Sequence, residues 1–196
     1  MQKSLNFVKG ALTRNQRLHV RRSPRGKGKS FANLFFLESE VTRMAIYSCN
    51  ISNVSRAKGS SSCATFSYIS GEKVRDERLG KTFRYGREER VILTETLLPE
   101  GAPVEFQNPV VLFNAIEKYE NTDNARTAKK IMVALPKEFD LTMQKKVVDE
   151  FIEKQITSRG YACSYAIHHD KENMNPHAHI LIANRQIDKK TGICVG

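Results

Sequence analysis

The sequence predicts an α+β fold: a central, predominantly antiparallel sheet of about five strands with helices packed on one face. Three observations carry this expectation. Short β-rich or apolar runs end at Pro and Gly turn signals, and two longer stretches have helical character with recognisable caps. The last two strand-like runs are separated by a single turn, as in a hairpin. Strands and helices mixed in this way build one α+β layer structure.

The elements follow in order from about Met44, where the composition changes. Residues 44–54, "MAIYSCNISNV", are β-rich and partly alternating, as a strand requires. The loop "RAKGSSS" then supplies cap residues for a helix over 62–72. "RVILTETLLP" reads as a strand ended by Pro99, and "EGAPVEFQ" as a loop. "NPVVLFNAIEKYE" is a helix with Asn108 as N-cap and Pro109 in the first helical position. "TAKKIMVALP" is a strand stopped by Pro136. In "LTMQKKVVDEFIEKQITSRG", Met143, Val147, Phe151, Ile152, Gln155 and Ile156 recur at helical spacing, and Gly160 stands where a C′ glycine belongs. "YACSYAIHH" and "HAHILIANR" are strands joined through "DKENMNP". The final "IDKKTGICVG" leaves a turn signal and an apolar remnant, so the domain, taken as residues 44–196, is expected to be cut short at its C-terminus.

Of the 196 residues, 27% are charged and 40% hydrophobic, as in a soluble globular protein. No apolar run approaches the roughly 20 residues of a membrane helix, and no secretory segment opens the chain. A soluble, cytoplasmic protein is expected. Its four cysteines stand far apart without a C-x-x-C pair, which favours reduced thiols over disulfides or a Cys/His zinc finger. The net charge is +11, and residues 1–43 hold ten Lys or Arg against two Glu, so that this segment accounts for +8 of it. Such a basic, poorly ordered extension suits nonspecific polyanion binding. It equally suits a solvated tail, and its first 30 residues lack acids as transit peptides do.

Four of the five histidines, His168, His169, His177 and His179, lie within twelve residues. Strand alternation puts His177 and His179 on one face, roughly 7 Å apart. Two imidazoles so spaced can lean onto one ion at about 2.1 Å from each nitrogen. The hairpin brings His168 or His169 beside them, and register decides which, because adjacent strand residues face opposite ways. Three histidines at one end of a hairpin make an open metal site, whereas a lone H-x-H would more often be ordinary surface or core histidine. Neither the H-E-x-x-H helix nor the H-x-E…P-C-x-x-C pattern is present, and carboxylates are scarce nearby. The remaining role is polarisation of a phosphoryl or carbonyl oxygen while another residue attacks.

"MAIYSCNISNVSRAKGSSSCATFSYISGEKVRDE", "LTETLLPEGAP", "VALPKEF" and "AIHHDKENMNPHAHIL" come in the order seen in MobA/MobL-type plasmid relaxases, and the chain resembles that family from Met44 to about Arg185. These relaxases are similar to the wider class of HUH endonucleases, which pair a tyrosine with a histidine-bound metal. The resemblance implies an enzyme that nicks one strand at a plasmid transfer origin and stays joined to the 5′ end through a tyrosine. By position, Tyr68 in "FSYISGE" falls on the nucleophile, and His177 and His179 fall on metal ligands. His168 matches the third ligand, while a loop longer than usual leaves His169 open. A divalent ion is implied, with manganese favoured by histidine ligands and magnesium by phosphate chemistry. The implied partners are single-stranded DNA at the origin, accessory mobilisation proteins and a coupling protein.

A phenol of pKa about 10 needs activation to attack phosphate at neutral pH, which agrees with that pairing of tyrosine and metal. The stretch after the tyrosine, "GEKVRDERLGKTFRYGRE", is dense in Lys and Arg, with Phe83 and Tyr85 interleaved. That pattern suits phosphate contact and base stacking, with Lys73 and Arg75 as candidates; a solvated charged hairpin is the plainer alternative. Glu95 in "LTETLLP" matches an acidic family position that would orient a ligand histidine or accept a proton, unless it is a solvent-facing strand residue. Two positions depart from the family: Lys130 and Met132 stand where acidic residues are common. They keep open a DNA-binding module that has lost catalysis. An HUH-type replication initiator is the other alternative.

Overall fold

The computed structural model describes residues 48–86, 90–169, 175–188 and the backbone of 194–195. The basic segment 1–43 and most of the turn between the histidine strands lie outside the described residues. Five antiparallel strands form the main sheet: β1 (Cys49–Ser55), β4 (Val91–Leu97), β5 (Arg126–Ala134), β6 (Tyr161–His168) and β7 (His177–Ile187), in the spatial order β1-β5-β7-β6-β4. A two-residue strand, β8 (Cys194–Val195), pairs with the end of β7 at Gln186 and Ile187. Strands β2 (Val74–Asp76) and β3 (Lys81–Phe83) form a separate hairpin.

Three helices complete the α+β architecture: α1 (Ser62–Ser70), α2 (Pro109–Tyr119) and α3 (Leu141–Gln155). Each begins on a side-chain cap. Ser61 accepts from Ala64 N–H at 3.2 Å, Asn108 from Val110 N–H at 2.9 Å, and Asp140 from Met143 N–H at 2.8 Å. Helix α1 stops two residues before the predicted limit because Gly71 turns left-handed at φ 76°. Helix α3 gives way to a 3-10 turn over Thr157–Arg159, and Gly160 (φ 85°) ends that turn rather than the helix itself.

The helices do not share one face of the sheet, which corrects the expectation from the sequence. Helices α1 and α2 pack Phe66, Ile69, Leu112, Phe113 and Ile116 against Ala128, Ala162, Leu181 and Ala183. Helix α3 packs Val148 and Ile152 against Ile131, Val133, Tyr165, Ile167, Ala178 and Ile180 on the opposite face. The central strands β6 and β7 are apolar on both sides, so each face needs a cover. Among the described residues, Cys49, Cys63 and Cys163 are free thiols. Among the described residues, no helix is long and apolar enough to cross a membrane.

Candidate active site

The β6–β7 register decides which histidines meet. His168 lies directly opposite His177, and Ala166 opposite His179, so all three imidazoles project from the face covered by α1. One nitrogen of each lies within 4.8 Å of one nitrogen of the others, and the ring centroids are 4.7 to 5.4 Å apart. Nitrogens around one ion at about 2.1 Å sit somewhat closer than this, so small side-chain rotations would complete the set. His169 points to the other face, where its Nε2 meets Gln144 Oε1 of α3 at 2.8 Å.

Backbone carbonyls orient two of these rings. His168 donates from Nε2 to the carbonyl of Ile69 (2.5 Å), and His177 donates from Nδ1 to the carbonyl of Asn175 (2.8 Å). A ring that gives one N–H to a carbonyl is set in the tautomer whose second nitrogen carries the metal-binding electron pair. The donor set fits a divalent metal ion, a transition metal more readily than magnesium.

Ile69 belongs to the last turn of α1, and the residue before it is Tyr68. The helix that carries the tyrosine is therefore tied to the histidine cluster by a direct hydrogen bond. The Tyr68 ring meets Tyr85 edge-on, with centroids 5.6 Å apart, and Lys130 Nζ stands 5.8 Å from its centroid. Cross-strand pairing sets Met132 opposite His179 and Lys130 opposite Leu181. Both residues that depart from the family pattern thus lie on the face of the site. A cleft of about 300 Å³ opens here, walled by Ser61, Thr65, Tyr68, Phe83, Tyr85 and Lys130.

The N-terminus of α1 rests on a feature that the sequence reading missed. Glu117 of α2 is buried, and its Oε1 accepts from both the backbone N–H and the hydroxyl of Ser62 at 2.7 Å. Its Oε2 receives Arg56 at 3.0 Å and Arg78 at 3.1 Å. Burial alone would raise the Glu117 pKa, but the hydrogen bonds from Ser62 and Arg56 outweigh it and hold the carboxyl below its ordinary range. A carboxylate at a helix N-terminus also complements the helix dipole. The signal was present: Glu117 follows Phe113 by four residues and Ile116 by one, inside the apolar face of its helix.

The structure does not bring Glu95 to the histidines. Glu95 pairs with Tyr165 across β4 and β6, and both point to the α3 face. There Lys145 sits between Glu95 at 2.5 Å and Asp149 at 2.6 Å, and the Tyr165 hydroxyl donates to Asp149 at 2.7 Å. The sheet separates Glu95 from the histidines it was expected to orient. Alternation explains this, since Glu95 shares its side of β4 with Leu93 and Leu97, which join the α3 core. Lys73 and Arg75 lie after α1, in the link before β2 and within β2, with both residues exposed.

Comparison with known proteins adds the family. The model of the MobA/MobL family matches residues 60–194. The chain belongs to the MobA/MobL family. Over 149 residues, 76% of its length, it is 57% identical to a probable mobilization protein MobA of Bifidobacterium longum. It is 28% identical to the conjugal transfer protein TraA of Agrobacterium fabrum over 74% of its length, and 31% identical to mobilization protein A of Escherichia coli over 72%. This MobA/MobL chain spans 26%, 14% and 18% of the lengths of those three relatives. It is also similar to a solved structure described as "Molecular Basis of Vancomycin Resistance Transfer in Staphylococcus aureus", with a TM-score of 0.71 and 29% identity, covering 78% of this chain and 76% of that one.

Proposed function

We propose that this MobA/MobL chain is a metal-dependent DNA strand transferase, the relaxase that nicks one strand at a transfer origin for conjugative mobilisation. The observation that carries the reading is the histidine triad, bound through the Ile69 carbonyl to the very turn of α1 that holds Tyr68. His168, His177 and His179 would hold the ion, manganese or magnesium. A divalent cation there supplies Lewis-acid polarisation of a phosphoryl oxygen.

The chain's own residues do the rest. Tyr68 Oη attacks the scissile phosphorus, the bond to the 3′ oxygen breaks, and the phenolic proton is balanced by the proton taken up at the leaving 3′ hydroxyl. One phosphodiester replaces another, so the 5′-phosphotyrosine conserves the bond energy for rejoining. The Tyr85 and Lys130 contacts restrict the Tyr68 ring, and Glu117 fixes the start of its helix. Lys73 and Arg75 are proposed phosphate contacts for the single strand, by charge and exposure alone. Accessory mobilisation proteins and a coupling protein belong to the same reading.

The test is a denaturing gel of the purified chain with single-stranded origin DNA, with and without manganese. A metal-dependent covalent adduct is expected from wild type and none from Tyr68→Phe, although the variant still binds DNA. An equal adduct yield from the variant would remove Tyr68 from its role. A second reading, DNA binding without chemistry, draws on Lys130 and Met132 on the site face. It predicts DNA affinity and metal binding without adduct.

A further inference from the structure

Among the described residues the sheet ends at β1, and no strand lies beyond it. Where its pairing begins, the Ala134 N–H donates to the Ser48 carbonyl at 3.1 Å. Alternation along an antiparallel ladder then turns the backbone groups of Asn50 and Ser52 towards β5 and leaves those of Cys49, Ile51 and Asn53 facing outward. Ile51, opposite Ile131 on the α3 side, is 44% exposed, and the strand "CNISNVS" holds neither a charge nor a proline. Residues of those kinds commonly guard a strand edge against pairing. The opposite edge has one, since β4 carries Glu95 in its ion pair with Lys145.

We propose that the edge of β1 is the docking site for residues 31–38 of the same chain, "FANLFFLE", taken up as an added antiparallel strand. Six of these eight residues are apolar. Eight extended residues span about 26 Å, enough to cover the whole of β1. Residues 39–48 form the link, which suffices for an antiparallel return but is too short for the crossover that a parallel strand needs. The direction of the added strand follows. Residue 31 lies at the Ser55 end of β1, beside Arg56 and Lys58, and residues 14–29, with seven Lys or Arg, lead into it. Docking therefore fixes a cationic run to one end of the domain, where it draws polyanions by nonspecific charge. The proposal is independent of strand transfer.

The experiment follows amide hydrogen exchange, residue by residue, in the full chain and in a double variant, Phe35→Glu with Phe36→Glu. Adjacent strand residues face opposite ways, so the pair places a charge on whichever side meets the domain. In wild type the amides of Cys49, Ile51 and Asn53 should exchange at least about tenfold more slowly than in the variant. The amides of Asn50 and Ser52, bonded to β5, should be equally protected in both, which shows that the sheet is intact. Exchange of the three outward amides at unprotected rates in wild type would overturn the dock. Equal protection in the variant would do the same, and protection that also rises with protein concentration would give the edge to a second copy of the chain.

Discussion

The two faces of the sheet hold the same chemical vocabulary and use it differently. Under α3, a tyrosine, a histidine, two carboxylates and a lysine consume one another: Tyr165 bonds Asp149, Lys145 bridges Asp149 and Glu95, and His169 is held by Gln144. Burial and the neighbouring Asp149 push the Tyr165 phenol far above its ordinary pKa, the reverse of what a nucleophile needs. Under α1, apolar packing on Leu181 and Ala183 gives way towards the strand ends to three clustered histidines, with Tyr68 bordering a cleft. Residue type does not distinguish a reactive group from a structural one here. The distinction is whether its neighbours close it off or leave room for a substrate.

That contrast can be broken from either side. The largest effect is expected at the triad: His177→Ala or His179→Ala should lose manganese binding by calorimetric titration and adduct formation together. His169→Ala, one residue from His168 but on the other face, should retain both. Unchanged manganese affinity in the triad variants would refute the ligand assignment.

Next comes the clamp beneath α1. Glu117→Ala strands Arg56, whose side chain is only 9% exposed, and should cost about 3–5 kcal/mol in urea denaturation. Its pH dependence has a fixed sign. The folded pKa lies below the unfolded one, so Glu117 contributes stability above the unfolded value near pH 4 that is lost as pH falls through the folded pKa. Acid titration should therefore destabilise wild type more than Glu117→Gln in that window. Parallel acid profiles would show that the carboxylate is not linked to folding.

The smallest effect is expected at Glu95. The Lys145 and Glu95 side chains are 38% and 34% exposed, so Glu95→Gln should cost no more than about 1 kcal/mol. Adduct yield should not change. A large loss of nicking in this variant would mean that the two faces are coupled through the sheet.

Much of this was legible in the chain. Alternation put His177 and His179 together, and Asn108 with Pro109 marked the start of α2. What resisted reading was relational. Helical periodicity identifies the apolar side of α3 but not which side of a sheet it will cover, and strands apolar on both faces admit either. His168 and His169 separate only once β6 is registered against β7. Glu95 could have been placed from Leu93 and Leu97 on the same side of its strand. Glu117 stands out as an acid on an apolar helix face, but its partners, Arg56 and Ser62, are 61 and 55 residues away and only the fold identifies them.

The strand order has a consequence for how the molecule comes into being. Strands β1 and β5 form one flank of the sheet and β6 and β4 the other, and β7 alone joins them. Yet β7 is the last of the five to leave the ribosome, and its first residue is His177. Tyr68 is thus synthesised long before the strand that both locks the two flanks and carries two of the three imidazoles. A nascent chain would hold Tyr68 without the histidine cluster, and closure of the fold and assembly of the cluster become one event.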